Sequence, residues 1–161
     1  MIQITTNKNQ SLAIFDCISS SHKSLEENLF ICGILEKAAE VKINIDMIAG
    51  ITGLPSIPDK VGLGFTFDGC DTSKFLMIVK NQEIKVRPLI NCGNAKIVIK
   101  SPEMVDGVGF AAKVFAILQN LECSPLLITT GIDEISLLVH ESFSNSLENQ
   151  LKKIFENSDS E

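Results

Sequence analysis

Moving the first half of the chain by 80 positions lays Phe30 on Phe110, Ile34 on Val114, Leu35 on Phe115, Val41 on Leu121 and Ile48 on Ile128. Apolar residues fall on apolar residues at helical and then at strand spacing, so one supersecondary unit occurs twice. Each copy reads strand–helix–strand–strand–helix, with room for one strand more. That order suits the split βαβ, ferredoxin-like sandwich, an antiparallel sheet with two helices on one face. The expected fold class is α+β, two ferredoxin-like βαββαβ units. Units of about 75 residues bury a small share of their surface, so the two are expected to pack together, edge to edge or face to face.

The elements follow from local pattern. Residues 11–18, SLAIFDCI, have the apolar density of a strand, and SSSHKS after them is loop chemistry. Over 26–40, Phe30, Ile31, Ile34, Leu35 and Ala38 recur at helical spacing, with Glu36, Lys37 and Glu40 largely opposite. EVKINIDMIAG (40–50) reads as a strand, and the Gly/Pro-rich GITGLPSIPDK as irregular. VGLGFTF (61–67) is a strand and DTSKFLMIVKN (71–81) a short helix opened by Asp71 or Thr72. EIKVRPLI (83–90) is a strand whose end Pro88 puts at an edge.

The second half repeats the order. AKIVIK (95–100) is a strand, and 109–121 a helix with Val114, Phe115, Leu118 and Leu121 inward. PLLITT and EISLLVHE are strands, and the closing helix carries Leu147, Leu151, Ile154 and Phe155 at i, i+4, i+7, i+8. The domains expected are 11–92 and 93–156, with residues 1–10 a candidate strand of the second and 157–161 a frayed tail.

Charge narrows the function classes. The formal charge is −6 and the one arginine is Arg87, which argues against a nucleic-acid surface and a guanidinium clamp for phosphoryl transfer. No apolar run approaches the ~18 residues of a spanning helix, and MIQITTNKNQ does not read as a secretory signal. The five cysteines show no C-x-x-C spacing and read as reduced thiols acting as small hydrophobes. A soluble cytoplasmic protein, without nucleic acid, membrane or cofactor, is the expectation. His22 and His140 have no ligand-spaced neighbours and read as surface histidines.

The run EVKINIDMIAG poses the sharpest question. Val41, Ile43, Ile45, Met47 and Ile48 form an apolar ladder that Asn44 and Asp46 interrupt. Alternation puts both polar residues on one face, which is the wet side of a strand, the floor of a site, or an edge that pairs with another chain. Spacing does not choose among these.

At this point the sequence resembles a family. GFAAKVFAILQNLECSPLLITTGIDEISLLV (109–139) is similar to the second ACT domain at the C-terminus of aspartate kinases, whose helix begins G-[VF]-A-A-[KR]-[IVM]-F. Met104 sits where that family has a methionine. INIDMI (43–48) resembles the I-N-[IV]-[DE]-M-I strand of the first ACT domain, and LGFTF (63–67) its L-T-F-T-V strand. The opening ITTNKNQSLAIF resembles the segment that enters the regulatory region, so the likeness spans nearly the whole chain. Nothing resembles the kinase domain that precedes this region in the family. The resemblance implies tandem ACT domains that bind lysine or, second, threonine, assemble as a homodimer through those domains, and signal to an aspartate kinase catalytic chain, with no catalysis of their own.

It also implies a site. A zwitterion needs N–H groups for its carboxylate, which a helix start offers, and carbonyls or a carboxylate for its ammonium. By resemblance the effector-binding residues are Glu26, Asn44, Ile45, Asp46 and Met47 in the first copy, and Asp106, Gly107 and Gly109 at the second helix start. The departures fall on the same places. Asn28 and Leu29 replace P-G at the first helix start, SSSHKSL is longer than the pattern, and Gly50 replaces a glutamine. In the second copy Ser124 and Pro125 replace the asparagine and its neighbour, and Thr129, Thr130, Gly131 and Ile132 replace S-T-S-E. A degenerate ACT pair that binds a protein partner and no small molecule is the alternative.

Overall fold

Two strands, β1 (Gln3–Ile18) and β4 (Leu89–Lys100), run through the division of the chain into two units. The computed structural model describes residues 2–18, 24–54, 57–81 and 88–156. One unit is Gln10–Cys92; the other joins Met1–Asn9 to Gly93–Glu161. Both strands carry a left-handed residue at the division, Asn9 at φ 57° and Gly93 at φ 75°.

In the unit Gln10–Cys92, β1 is followed by α1 (Ser24–Glu40), β2 (Ile48–Leu54), β3 (Ile57–Asp68) and α2 (Thr72–Lys80). The strand order is β2-β3-β1-β4. β1 and β3 pair antiparallel from Gln10↔Asp68 to Ile18↔Lys60, and β2 pairs with β3 from Ile48↔Phe65. Period-two alternation turns Ala13 and Phe15 of β1, and Phe65 and Phe67 of β3, toward the helices. α1 answers with Ile34 and Ala38, and α2 with Phe75, Ile78 and Val79. Phe75 is the keystone: its ring stacks on Phe67 at 4.5 Å and meets Phe65 edge-on at 5.6 Å. Such ring pairs add about 0.5–1.5 kcal/mol beyond the area they bury.

The other unit holds α3 (Phe110–Asn120), β5 (Leu127–Thr130), β6 (Glu134–His140) and α4 (Ser144–Glu156), with strand order β1-β4-β6-β5. Ile97 and Ile99 of β4 face Leu137 and Ile135 across the β4–β6 register. Val114, Ile117 and Leu118 close this core from α3, and Leu147, Leu151 and Phe155 from α4. Phe110 stacks on Phe155 at 4.6 Å. Ile2 and Ile4 pack on the same core, so the N-terminal residues supply a strand to the far half of the chain. Thr6 Oγ1 donates to Glu148 Oε2 at 2.7 Å and ties that strand to α4.

The internal repeat is present in the backbone. Lys42 at φ 61° ends α1 and Glu122 at φ 51° ends α3, 80 positions on. Both are followed by a buried residue whose N–H reaches back to the helix, Ile43 to Ala38 at 2.8 Å and Cys123 to Leu118 at 2.9 Å. Around the second helices the offset is 72: Thr72 Oγ1 donates to the Gly69 carbonyl, and Ser144 Oγ to the Glu141 carbonyl. The difference of eight residues lies in the hairpin β2–β3, which is longer than β5–β6.

That hairpin overturns one expectation: within GITGLPSIPDK, residues 50–54 form most of β2 and 57–60 the start of β3, while 55–56 lie outside the described residues. Glycine weakens a strand by entropy and lost packing but keeps its N–H and C=O, so pairing with core-anchored β3 prevails. The run 40–50 is likewise not one strand. Its first three residues finish and cap α1, 43–47 are extended, and regular β2 starts at Ile48. β4 passes straight through Asn91, Cys92 and Gly93, where a break was expected. Phe115 is exposed and Ile117 buried, because Val114, Ile117, Leu118 and Leu121 trace the i, i+3, i+4, i+7 stripe and Phe115 falls beside it. Ile154 is also largely exposed. Cys123 alone among the cysteines with a described side chain is buried; Cys32, Cys70 and Cys92 are exposed and in no disulfide, so they are not core hydrophobes. The loop 19–23 with His22, Arg87, and the tail 157–161 lie outside the described residues.

Candidate functional site

The segment 43–47 is anchored to the core through its odd-numbered residues. Ile43 and Met47 are buried, Ile45 packs on the core, and Asn44 and Asp46 are exposed. Asp46 N donates to the Thr66 carbonyl at 2.9 Å, Thr66 N to the Met47 carbonyl at 2.9 Å, and Met47 N to Thr66 Oγ1 at 3.0 Å. Thr66 is fully buried, so its hydroxyl and both backbone groups serve to fix this segment. The result is a rigid ledge that presents an amide and a carboxylate outward from one side of the chain. Odd residues anchor it and even residues face out, as strand alternation requires.

Asp106, Gly107 and Gly109 stand before α3, in the other unit. Pro102–Met104 form a 3₁₀ turn in which Ser101 Oγ accepts from Glu103 N. Gly107 N then donates to the Glu103 carbonyl at 2.9 Å, and a Cβ at Gly107 would lie 2.4 Å from that oxygen. Gly109 has φ 91° and is the N-cap of α3, with no side chain capping the helix. Both glycines are therefore required by backbone geometry. They leave an exposed helix start whose N–H groups and dipole favour negative charge.

The two copies differ where the ledge is concerned. Leu126 N donates to the Leu138 carbonyl at 2.7 Å, the counterpart of the bond from Asp46 to Thr66. Position 44 thus corresponds to Ser124, 45 to Pro125, and 46 to Leu126, which is 41% exposed. The second copy offers an apolar side chain where the first offers a carboxylate.

Glu26 belongs to the first turns of α1, in the same unit as the ledge; its side chain, with those of Asn28 and Leu29, lies outside the described residues. No group of three His, Cys, Asp or Glu that could hold a metal occurs among the described residues. His140 is a turn cap: its Nδ1 accepts from Ser142 N at 3.3 Å and lies 2.8 Å from Ser142 Oγ. Burial pushes the Cys123 thiol up, away from thiolate chemistry. No described helix is long and apolar enough to cross a membrane. Sequence reasoning did not find the left-handed caps at Lys42 and Glu122, since neither is Gly or Asn, nor the role of Thr66, a polar residue set between Phe65 and Phe67.

No protein-family model and no curated protein matches the sequence. Solved structures do match the fold. The ligand-free regulatory subunit of aspartate kinase from Thermus thermophilus shares 16% identity over 93% of this chain and 95% of that one, with a TM-score of 0.76. A structure of aspartokinase alpha and beta subunits shares 22% identity over 95% of this chain and 97% of that one, also at a TM-score of 0.76. E. coli aspartokinase III, in complex with lysine and aspartate, shares 18% identity over 93% of this chain but 32% of its own, with a TM-score of 0.65.

Proposed function

For a chain with the fold of aspartate kinase regulatory subunits and domains, we propose a regulatory module of ACT type that binds an amino acid and catalyses nothing by itself. The observation that carries this is the ledge of 43–47. Its backbone is fixed by Thr66 and its core side by Ile43 and Met47, so the backbone from which Asn44 and Asp46 project outward is already set before binding. The Asp46 carboxylate suits an ammonium, the Asn44 amide a carboxylate, and Ile45 and Met47 are the neighbouring backbone. Lysine, with its second ammonium, is the first effector and threonine the second; E. coli aspartokinase III, similar in fold, is seen with lysine. Glu26 joins the ledge as a proposed effector residue of the first copy, and Asp106, Gly107 and Gly109 at the α3 start are those of the second.

Such a module acts by coupling. An effector that favours one arrangement by ~1–3 kcal/mol changes the response of a partner five- to 150-fold. The partners proposed are a second copy, through the ACT domains, and an aspartate kinase catalytic chain, with feedback control of aspartate-family amino-acid synthesis as the role. Calorimetry and thermal melts with lysine, threonine and methionine test the sensing claim. Binding of lysine or threonine is expected; no heat and no shift with any of them at millimolar concentration would sink it.

A second reading has its own observation, the apolar Pro125 and Leu126 at the ledge of the second copy. On this reading the pair is a degenerate ACT assembly module, binding protein but no small molecule. Pull-down of a catalytic chain that succeeds without any amino-acid effect favours it.

A further inference from the structure

Between α1 and α2, within the unit Gln10–Cys92, lies a cleft of about 500 Å³ lined by Lys37, Val41, Lys74, Met77, Ile78 and Asn81. Its floor is apolar, and Met77 is 66% and Val41 42% exposed. Two lysines, Lys37 of α1 and Lys74 of α2, are among its lining residues. Each has an acidic neighbour on its own helix end, Lys37 with Glu40 at 2.8 Å and Lys74 with Asp71 at 2.7 Å. Neither carboxylate is among the described lining residues. An ammonium has three donors, of which Lys37 gives two to Glu40 and Lys74 one to Asp71, and pairs of this spacing are weak enough for a ligand carboxylate to compete.

The repeat supplies an internal comparison. The matching cleft between α3 and α4 is about 200 Å³ and is lined by Ile117, Asn120, Leu121, Gln150 and Ile154. By the offsets of 80 and 72, Ile117 stands for Lys37, Ser146 for Lys74 and Gln150 for Ile78. The same scaffold therefore builds a small cleft with no lysine or arginine among its described lining residues in one copy, and a larger apolar cleft lined by two lysines in the other. The fold does not demand that difference. A binding cleft of this size, mostly apolar with a few convergent polar groups, has the make-up of a small-molecule site.

We propose that the α1/α2 cleft binds a small amphipathic carboxylate, its apolar body on Val41, Met77 and Ile78 and its carboxylate between Lys37 and Lys74. The Asn81 amide closes one end and offers a further donor. This site is separate from the ledge and needs neither Asn44 nor Asp46.

Octanoate and 1-octanol, titrated against the full chain by calorimetry and amide NMR shifts, test it. Octanoate is expected to bind at submillimolar concentration and about tenfold more tightly than the uncharged alcohol. Lys37→Glu with Lys74→Glu, and separately Met77→Asp, are expected to weaken octanoate about tenfold while circular dichroism is unchanged, since all three positions are exposed. Asp46→Leu leaves octanoate binding intact, which separates this site from amino-acid sensing. Equal binding of acid and alcohol, indifference to the lysine pair, or shifts centred on the α3/α4 cleft would each overturn the proposal. So would dissociation of a dimer by Met77→Asp with no response to octanoate, which would make the cleft a contact between copies.

Discussion

Asp46 and Leu126 make the same backbone hydrogen bond in the two copies, Asp46 N to the Thr66 carbonyl at 2.9 Å and Leu126 N to the Leu138 carbonyl at 2.7 Å. Both side chains are exposed. The same backbone geometry therefore carries a carboxylate in one copy and a leucine in the other. Asp46→Leu is expected to weaken lysine binding at least about tenfold, or ~1.4 kcal/mol. A urea melt reads separately what the Asp46 side chain contributes to stability. Calorimetry and a urea melt of the same variant give both answers; unchanged lysine affinity would remove Asp46 from the site.

Lys42 and Glu122 hold left-handed backbone at the ends of α1 and α3, where glycine is the usual residue. A side chain there costs about 1–2 kcal/mol, part of which glycine returns through the entropy of the unfolded chain. Lys42→Gly and Glu122→Gly are each expected to raise stability by about 0.5–1 kcal/mol. Chemical denaturation checks this, and a loss in both variants would mean that their side chains make contacts that matter.

These caps also show how far the sequence could be read. Helical periodicity exposed the repeat, because Ile34, Ala38, Val114 and Leu118 must all face a core, and a fixed period survives substitution. The hairpin β2–β3 did not show, since its glycines and prolines argue locally against a strand while its pairing partner lies in a separate run. Residue Thr66 gave no signal either. Its side chain matters only once residue 47 is folded against it. For the site, the alternation of 43–47 was legible, but spacing left open whether the polar face is wet or occupied. The fold places Asn44 and Asp46 outward on a fixed ledge, and ligand titration decides the rest.

Gly107 and Gly131 contrast two kinds of glycine. A Cβ at Gly107 would sit 2.4 Å from the Glu103 carbonyl oxygen, a backbone atom that cannot swing away. At Gly131 the nearest atom would be the Glu134 Cβ at 3.8 Å, an ordinary contact. Gly107→Ala is expected to cost about 1–3 kcal/mol by forcing the turn before α3 to shift. Gly131→Ala should be neutral or stabilising by up to about 1 kcal/mol. Denaturation of the pair tests the geometry of the α3 start, and equal effects would contradict it.

Glu148 ties the N-terminal strand to α4 and makes that tie sensitive to pH. Its Oε1 accepts from Lys152 Nζ at 2.6 Å and its Oε2 from Thr6 Oγ1 at 2.7 Å. The Lys152 ammonium first, and the Thr6 hydroxyl second, hold its carboxyl below the usual value of 4.5. A carboxyl whose folded pKa is depressed contributes stability above its unfolded pKa, and loses it as pH falls through the folded value. Glu148→Gln keeps an acceptor for Thr6 but removes the charge, so the variant lacks this term at every pH. The wild-type chain is expected to be more stable than the variant at neutral pH by about 0.3–1 kcal/mol, within the range for ion pairs at a protein surface. The gap narrows on acidification from 4.5 downward and closes once the folded carboxyl is protonated. Urea melts of both chains along that pH series measure it directly. A gap that is constant, or that widens in acid, would mean that the strand is held by Ile2 and Ile4 on the core and not by the carboxylate.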